Sequence, residues 1–311
     1  MDWWEQIDGQ GRFARVEALE KGWSRDRKFI VDLKDGQRWL LRLSPADQWE
    51  RKKREYAAME RLPQDCAALL PRPKGFGRCD AGIYTLLSFV PGQDAEPALR
   101  GLTPAQQYGL GLRAGLALRQ LHALPAFADA KPWEARFNAK MDAKIRAYRD
   151  CPIRFRGGER LVEYIQDHRT LLRGRPQGFQ HGDYHCGNMT LTQDLRLGVV
   201  DFNRMDSGDP WEEFNRIVWC AAASPAFAAG RVDGYFDGSV PEAFFPLLLL
   251  YIASNQLSSI VWAIPFGEGE VQTMLRQAEQ LNAAYEGFTR TVPLWYEQGR
   301  RLAGCEGGTG N

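Results

Sequence analysis

A chain of 311 residues, 44% hydrophobic and 25% charged, has the composition of a globular protein with one large or two moderate cores, which excludes a disordered or fibrous class. A net charge of +1 and basic runs without interleaved aromatics argue against a nucleic-acid partner, and six cysteines without C-x-x-C or zinc spacing fit reduced thiols in a cytoplasm. The start, MDWWEQIDGQ, has no signal-peptide pattern, and the most apolar segment, Phe244 to Phe266, is broken by Pro246, Ser254, Asn255, Gln256, Ser258 and Ser259, so a buried helix pair is expected there and no membrane span.

In chain order, Ala14 to Glu20, Phe29 to Lys34 and Arg38 to Leu43 read as strands of an antiparallel meander, the last two joined by an Asp35-Gly36 turn. Between the first two lies KGWSRDRK, a polar loop whose backbone amides are suited to covering phosphates. In RWLLRL, period two puts Leu40 and Arg42 on one face and Trp39, Leu41 and Leu43 on the other. Ser44-Pro45-Ala46-Asp47 then reads as an N-cap with proline at the first helical position, and the helix ends before Pro63. Glu55, Tyr56, Met59 and Leu62 fall close together on that helix, which places Glu55 to reach the sheet as the partner of Arg42, with Glu50 and Glu60 as rivals.

The strand Ile83 to Phe89 runs into Val90-Pro91-Gly92, where proline and glycine halt a ladder, so residues 1–91 and 92–311 are expected to form two lobes. Thr103-Pro104 opens a helix to about Leu124 with Leu110, Ala114, Leu118 and Leu121 as its core stripe, and His122 near its end reads as structural. The rest is expected to be mainly helical, apart from a hairpin around 189 to 202, and the tail from about 304 is expected to be disordered.

The densest signal is residues 181 to 203, HGDYHCGNMTLTQDLRLGVVDFN. Asp183 and Asn188 stand in the D-x-x-x-x-N relation of a kinase catalytic loop, where the aspartate takes the proton of an acceptor hydroxyl and the asparagine holds Mg²⁺. Leu195 to Val200 reads as a short strand that delivers Asp201 to the position of a D-F-G aspartate, a second oxygen ligand for the metal. Phosphoryl transfer needs mainly positioning and charge neutralisation, so a base and two ligands for a hard cation form a sufficient core. Cys186 lies in this loop, but nothing nearby marks it as a nucleophile.

H-G-D-x-H-x-G-N followed by V-D-F resembles the aminoglycoside phosphotransferase family. The resemblance implies an α+β, bilobal, protein-kinase-like fold with an N-terminal antiparallel sheet and one helix, and a larger, mainly helical C-terminal lobe. It implies ATP, with GTP not excluded, and Mg²⁺ as cofactors. It places Arg42 where kinases carry the phosphate-binding lysine of the third strand, makes Ser24 and Arg25 nucleotide contacts in a Gly-x-Ser-like loop, and sets the main chain of Ser88, Phe89 and Val90 at the adenine edge. Only seven residues separate Asp201 from Asp209-Pro210, and no A-P-E triplet follows, which argues against a protein substrate and for a small-molecule acceptor.

The family places the acceptor in the helical lobe, where Asp206, Glu212, Glu268 and Glu270 are candidate contacts for a cationic or sugar-like molecule, and Trp211, Trp219, Tyr235, Phe236, Trp262 and Phe266 are candidates for stacking. Asp209 and Glu213 are further acids, Glu213 equally suited to bracing the catalytic loop. Residues 201 to 311 hold 7 arginines, no lysine and 14 acids, a balance of −7 that would attract a cation. The expected activity is Mg²⁺-dependent transfer of a γ-phosphate to a hydroxyl, of the antibiotic-modifying type. A metabolic kinase of choline, an amino acid or a glycated amine is the alternative, and a non-catalytic pseudokinase is the reading from another class, against which the intact Asp183, Asn188 and Asp201 argue.

Overall fold

The computed structural model describes residues 3–8, 11–20 and 26–305, which divide into two compact units. The first comprises residues up to Gln93 together with Thr190–Asn203, so the hairpin segment that the sequence assigns to the second lobe packs with the first.

The first unit opens with a helical turn, α1 (Glu5–Asp8), and is built on strands β1 (Phe13–Leu19), β2 (Arg27–Leu33), β3 (Arg38–Ser44), β4 (Pro73–Cys79) and β5 (Gly82–Ser88). They form one antiparallel sheet in the order β1-β2-β3-β5-β4. Alternation decides its faces: Val31, Leu33, Trp39, Leu41 and Leu86 pack with Ile7 and Phe13 in one core cluster, while Arg42 belongs to the opposite face. Strand β4 had no sequence signal because Pro73, Gly75 and Gly77 lower its propensity. Those glycines make room for the neighbouring strand, since a Cβ at Gly77 would lie 2.7 Å from the Tyr84 hydroxyl.

Helix α2 (Trp49–Glu60) lies along this sheet, preceded by a 3-10 turn at Ala46–Gln48. The expected Ser44 cap does not form. Ser44 is instead the last, buried residue of β3, paired with Ile83, because continuing the ladder satisfies its backbone. The linker after β5 is tight: Gly92 has φ +120°, and a Cβ there would lie 2.8 Å from the Leu191 carbonyl. A two-residue strand, β6 (Gln93–Asp94), follows.

The second unit is mainly helical: α3 (Ala95–Leu99), α4 (Pro104–His122), α5 (Trp133–Asp150), α6 (Gly158–His168), α7 (Ile217–Ala223), α8 (Pro225–Phe236), α9 (Phe244–Ala263), α10 (Glu268–Ala284) and α11 (Leu294–Leu302). Helix α4 starts at a capping box in which Thr103 accepts from the Gln106 amide while Gln106 accepts from the Thr103 amide. It packs on α8 at backbone contact: a Cβ at Gly111 or Gly115 would overlap the main chain of α8, and one at Gly230 or Gly234 that of α4. This close packing fixes α8 and the Arg231 it carries.

Strand β7 (Gly178–Gln180) leads into the H-G-D motif. The hairpin β8 (Met189–Leu191) and β9 (Leu197–Val199) follows it, and β10 (Asp206–Gly208) pairs antiparallel with β7. Within the first unit, β9 is flanked by Leu69, whose amide donates to Leu197 and whose carbonyl accepts from Val199.

The expected helix pair over 244–266 is one continuous helix, α9, followed by a 3-10 turn. Pro246 sits in its first turn, where its missing N–H has no intrahelical partner to lose. By length and composition this segment is apolar enough to cross a membrane, yet two-thirds of it is buried inside the protein. Residues 304 and 305 are described, and the remainder of the expected disordered tail lies outside the described residues.

Candidate functional site

In the first unit the polar centre is a buried chain of charges on the α2-facing side of the sheet. Arg42 pairs with Asp26; Lys52 Nζ lies 2.9 Å from the same Asp26 oxygen and 3.0 Å from Glu55; Glu55 also accepts from Arg51 at 2.8 Å. Burial pushes the Asp26 carboxyl up, but Arg42 and Lys52 outweigh it and hold it below the usual carboxylate range. The expected Arg42–Glu55 pair is therefore corrected. Both side chains line one pocket, but Asp26 takes the arginine and Lys52 takes the glutamate, because a lysine three residues before Glu55 reaches it first.

Phe202 and Asn203 line the same pocket, and Asn203 donates from its side chain to Asp201. Asp201 has φ +65°, a left-handed conformation rare for a residue with a side chain and often concentrated at functional sites. Ser24 and Arg25 lie outside the described residues. In the linker the Ser88 amide donates to Arg72 and the Phe89 amide to Arg38, so of the three expected base contacts only the Val90 N–H lacks a partner among the described residues.

In the second unit the H-G-D motif forms a braced loop. The His181 and Gly182 amides donate to the two oxygens of buried Glu213 at 2.6 and 2.7 Å. His122 Nε2 stands 3.5 Å from the same carboxylate. Burial pushes the Glu213 carboxyl up, but His122, His181 and the Gly182 amide hold it below the ordinary value. Fully buried Arg231 donates to the Tyr184 and Glu213 carbonyls at 2.9 and 3.1 Å. Gly182 has φ +83°, and a Cβ there would overlap the Arg204 carbonyl, so the motif admits only glycine between its histidine and aspartate.

Asp183 and Asn188 come together: the Asn188 side-chain amide donates to the Asp183 carbonyl at 3.0 Å. His185 Nδ1 accepts from the Gly187 amide, so Nε2 carries the proton, 3.3 Å from Asp183 Oδ1. Burial pushes this imidazole below its ordinary value, consistent with a neutral ring. Two arginines complete the surroundings: Arg216 contacts Asp183 Oδ1, and Arg204 Nε lies 3.7 Å from Oδ2. Burial pulls Arg216 down to about 10, which still leaves it a cation at neutral pH. Cys186 is buried, and its contact with Cys220 pushes its thiol up, away from a nucleophile.

The acids expected to meet an acceptor are differently placed. Asp206 is held by Arg136 with both oxygens at 3.2 Å, and Glu212 by Lys140 at 3.5 Å and Gln180 at 3.3 Å. Glu268 accepts from Gln272 within α10, whose first turn also carries Glu270. Asp209 is fully buried and binds Arg175, Tyr251 and the Trp211 amide, a structural role. Among the aromatics, Trp211, Tyr235 and Phe236 form a cluster with Phe214 and Phe244, whereas Trp219 lies edge-on to His185 and under Arg216. Sequence reasoning missed Asp26, Lys52, His185, Arg204, Arg216 and Arg231. Only His185, two residues from Asp183, carried a local signal.

A sheet unit with a single helix, joined in sequence to a helical unit carrying a braced H-G-D loop, is the kinase-like fold of a phosphotransferase that acts on hydroxyls of small molecules. The model of the phosphotransferase enzyme family, which includes the aminoglycoside phosphotransferases, matches residues 15–245, and the chain belongs to that family.

Solved structures agree on the fold. The GDP complex of wild-type aminoglycoside 2'-phosphotransferase-IIIa is similar with a TM-score of 0.68 and 16% identity, covering 90% of this chain and 97% of that one. A macrolide 2'-phosphotransferase from Brachybacterium faecium gives 0.61 and 16%, covering 88% and 95%. A choline/ethanolamine kinase family protein from Mesorhizobium loti gives 0.63 and 17%, covering 96% and 95%. No curated protein matches the chain.

Proposed function

We propose that this protein transfers the γ-phosphoryl group of ATP or GTP to a hydroxyl of a small molecule in the cytoplasm, with Asp183 as the base. The observation that carries this reading is the Asp183 loop itself: its backbone is fixed by Glu213 and Arg231, and Asn188 is drawn against the Asp183 carbonyl. Asp183 orients the acceptor and takes the hydroxyl proton; the acceptor oxygen bonds to the γ-phosphorus as the bond to the β–γ bridging oxygen breaks, releasing the nucleoside diphosphate. Arg42, set in its network with Asp26, Lys52 and Glu55, holds phosphate oxygens. The Val90 amide is the free linker donor for the base.

The Asn188 side-chain oxygen and the Asp201 carboxylate are each hard oxygen donors of the kind that Mg²⁺ takes alongside phosphate and water, and they would hold that ion. When bound, the ion neutralises charge on the β- and γ-phosphates. The named neighbours act on antibiotics or belong to a choline/ethanolamine kinase family, so this chain belongs functionally either with antibiotic modification or with metabolic phosphorylation.

The test is nucleoside diphosphate release across a panel of aminoglycosides, macrolides, choline, amino acids and hydroxy acids, with products detected by mass. Asp183→Asn should lower kcat by about 10²- to 10⁴-fold while leaving nucleotide affinity in place. Turnover of the variant at the wild-type rate refutes the assignment.

A further inference from the structure

Arg231, on α8, is a cation sealed inside the second unit. It is fully buried, and two of its contacts are with neutral groups: Nη1 donates to the Tyr184 carbonyl at 2.9 Å and Nη2 to the Glu213 main-chain carbonyl at 3.1 Å. The guanidinium also lies 4.7 Å from the Tyr184 and Phe214 rings. Its Nε has no acceptor, and it makes no ion pair with a carboxylate among the described residues. Carbonyls and rings solvate a charge without cancelling it, and a buried cation without a counter-charge is costly to keep.

The remaining group within reach is a sulfur. Cys220, on α7, is fully buried as well, and its Sγ stands 3.8 Å from Arg231 Nη1. The same sulfur accepts from the Cys186 amide at 3.3 Å, and the Cys186 thiol lies against it. Two N–H donors, one of them cationic, converge on one sulfur, an arrangement that favours its charged form. The hydrogen bond from the Cys186 thiol and the charge of Arg231 outweigh burial and hold the Cys220 thiol below its ordinary range. The other charged groups around α7 act elsewhere. The Glu96 carboxylate of α3 lies by the Gly187 turn and acts on Cys186 and His185; Glu213 is taken by the motif amides, Arg216 by Asp183, and Asp233 of α8 by two tyrosines and Arg300.

We infer that Cys220 is the counter-ion of Arg231, a buried thiolate whose pairing positions the H-G-D loop. The pair grips the loop on both sides of His185: Arg231 holds the Tyr184 carbonyl, next to Asp183, and Cys220 holds the Cys186 amide, two residues before Asn188. Arg231 also fixes the main chain of Glu213, the residue that braces the motif. A neutral group at position 220 leaves the guanidinium uncompensated between these contacts, and the loop loosens. Cys220 is a positioning residue. Its bearing on turnover rests on the kinase reading of Asp183, whereas the ion pair stands on the fold alone.

The test compares the whole chain, under reducing conditions, with Cys220→Ser, which keeps the shape of the side chain without a charge at neutral pH. An ordinary thiol titrates at about 8.5 and is only a few per cent ionised at pH 7, so the ultraviolet thiolate band lost in Cys220→Ser at pH 7 reports the pair. Hydrogen exchange of the amides of residues 182–188, corrected for its intrinsic pH dependence, reports the loop, and should be about tenfold faster in Cys220→Ser at pH 7. Because the folded thiol titrates below the unfolded one, its contribution is full above about pH 8.5 and is lost as pH falls through the folded value. The exchange gap should therefore widen toward about pH 8.5 and close on acidification as the band disappears, whereas a loss of packing alone would persist at every pH.

The inference is overturned if the band at pH 7 is the same in both proteins, if Cys220→Ser leaves loop exchange unchanged, or if the gap is equal at every pH. Arg231→Gln should confine the Cys220 thiolate band to alkaline pH, and a band that survives this substitution at pH 7 overturns the pairing. Both readouts are taken without nucleotide or acceptor, so a failure of the kinase reading would not alter them.

Discussion

Replacing Glu213 by glutamine isolates the brace under the H-G-D loop. The carboxylate accepts from the His181 and Gly182 amides, one on each oxygen, and is fully buried. Each such charge-assisted bond is worth about 1.5–3 kcal/mol, and glutamine can keep only one of them at the neutral value of about 1 kcal/mol while aiming its NH₂ at the other N–H. The net loss should be about 3 kcal/mol, read from urea unfolding. Because Gly182 and Asp183 follow directly, kcat should fall about 10- to 100-fold as the base loses its position, with nucleotide affinity unchanged.

The pH dependence gives a second readout of the same residue. Glu213 titrates below its ordinary 4.5 in the folded protein, so its contribution is present above the unfolded value and is lost as pH falls through the folded one. The stability gap between wild type and Glu213→Gln should therefore be full at pH 7 and close under acid, through a window lying below about pH 4.5. A gap under about 0.5 kcal/mol at pH 7, or one that widens on acidification, refutes the brace.

Gly182→Ala should cost about 2–4 kcal/mol and abolish measurable turnover, because a side chain at φ +83° also overlaps the Arg204 carbonyl; a variant with near-wild-type kcat counts against the tight turn. Asp26→Asn strips the shared counter-charge from buried Arg42 and Lys52, and should destabilise the protein by about 3 kcal/mol and weaken nucleotide binding, which calorimetry would show. Asp201→Asn keeps a residue tolerant of left-handed backbone and should remove the Mg²⁺-dependent part of nucleotide affinity; an unchanged Mg²⁺ response would exclude Asp201 as a ligand.

What could be read from sequence was what is local in sequence. Asp183 and Asn188 lie five residues apart in one loop, and the strands around Asp35-Gly36 are a hairpin, so spacing alone places them. The partner of Arg42 is a different kind of question. Asp26 and Lys52 come from separate elements, and the choice among four charged groups is made by burial, to which a helical wheel is blind. Likewise, Gly111 and Gly115 show their purpose only once Gly230 and Gly234 arrive from another helix, and β4 hides behind glycines that exist to admit Tyr84. Ser44 has the chemistry of a cap, but the ladder to Ile83 takes it first.

The charge balance illustrates the same limit with a functional consequence. The acid excess of residues 201 to 311 suggested attraction of a cation, since far-field charge sums over all groups. Inside the second unit five of those acids are committed: Asp206 to Arg136, Glu212 to Lys140, Asp209 to Arg175, Asp233 to Arg300 with two tyrosine hydroxyls, and Glu213 to the motif amides. The field an acceptor meets near Asp183 comes from what remains unmatched, because paired charges close together cancel within a few ångströms. At Asp183 itself the neighbours are Arg204 and Arg216. A segment can thus be acidic by composition while the one carboxylate of the H-G-D loop is itself met by two arginines.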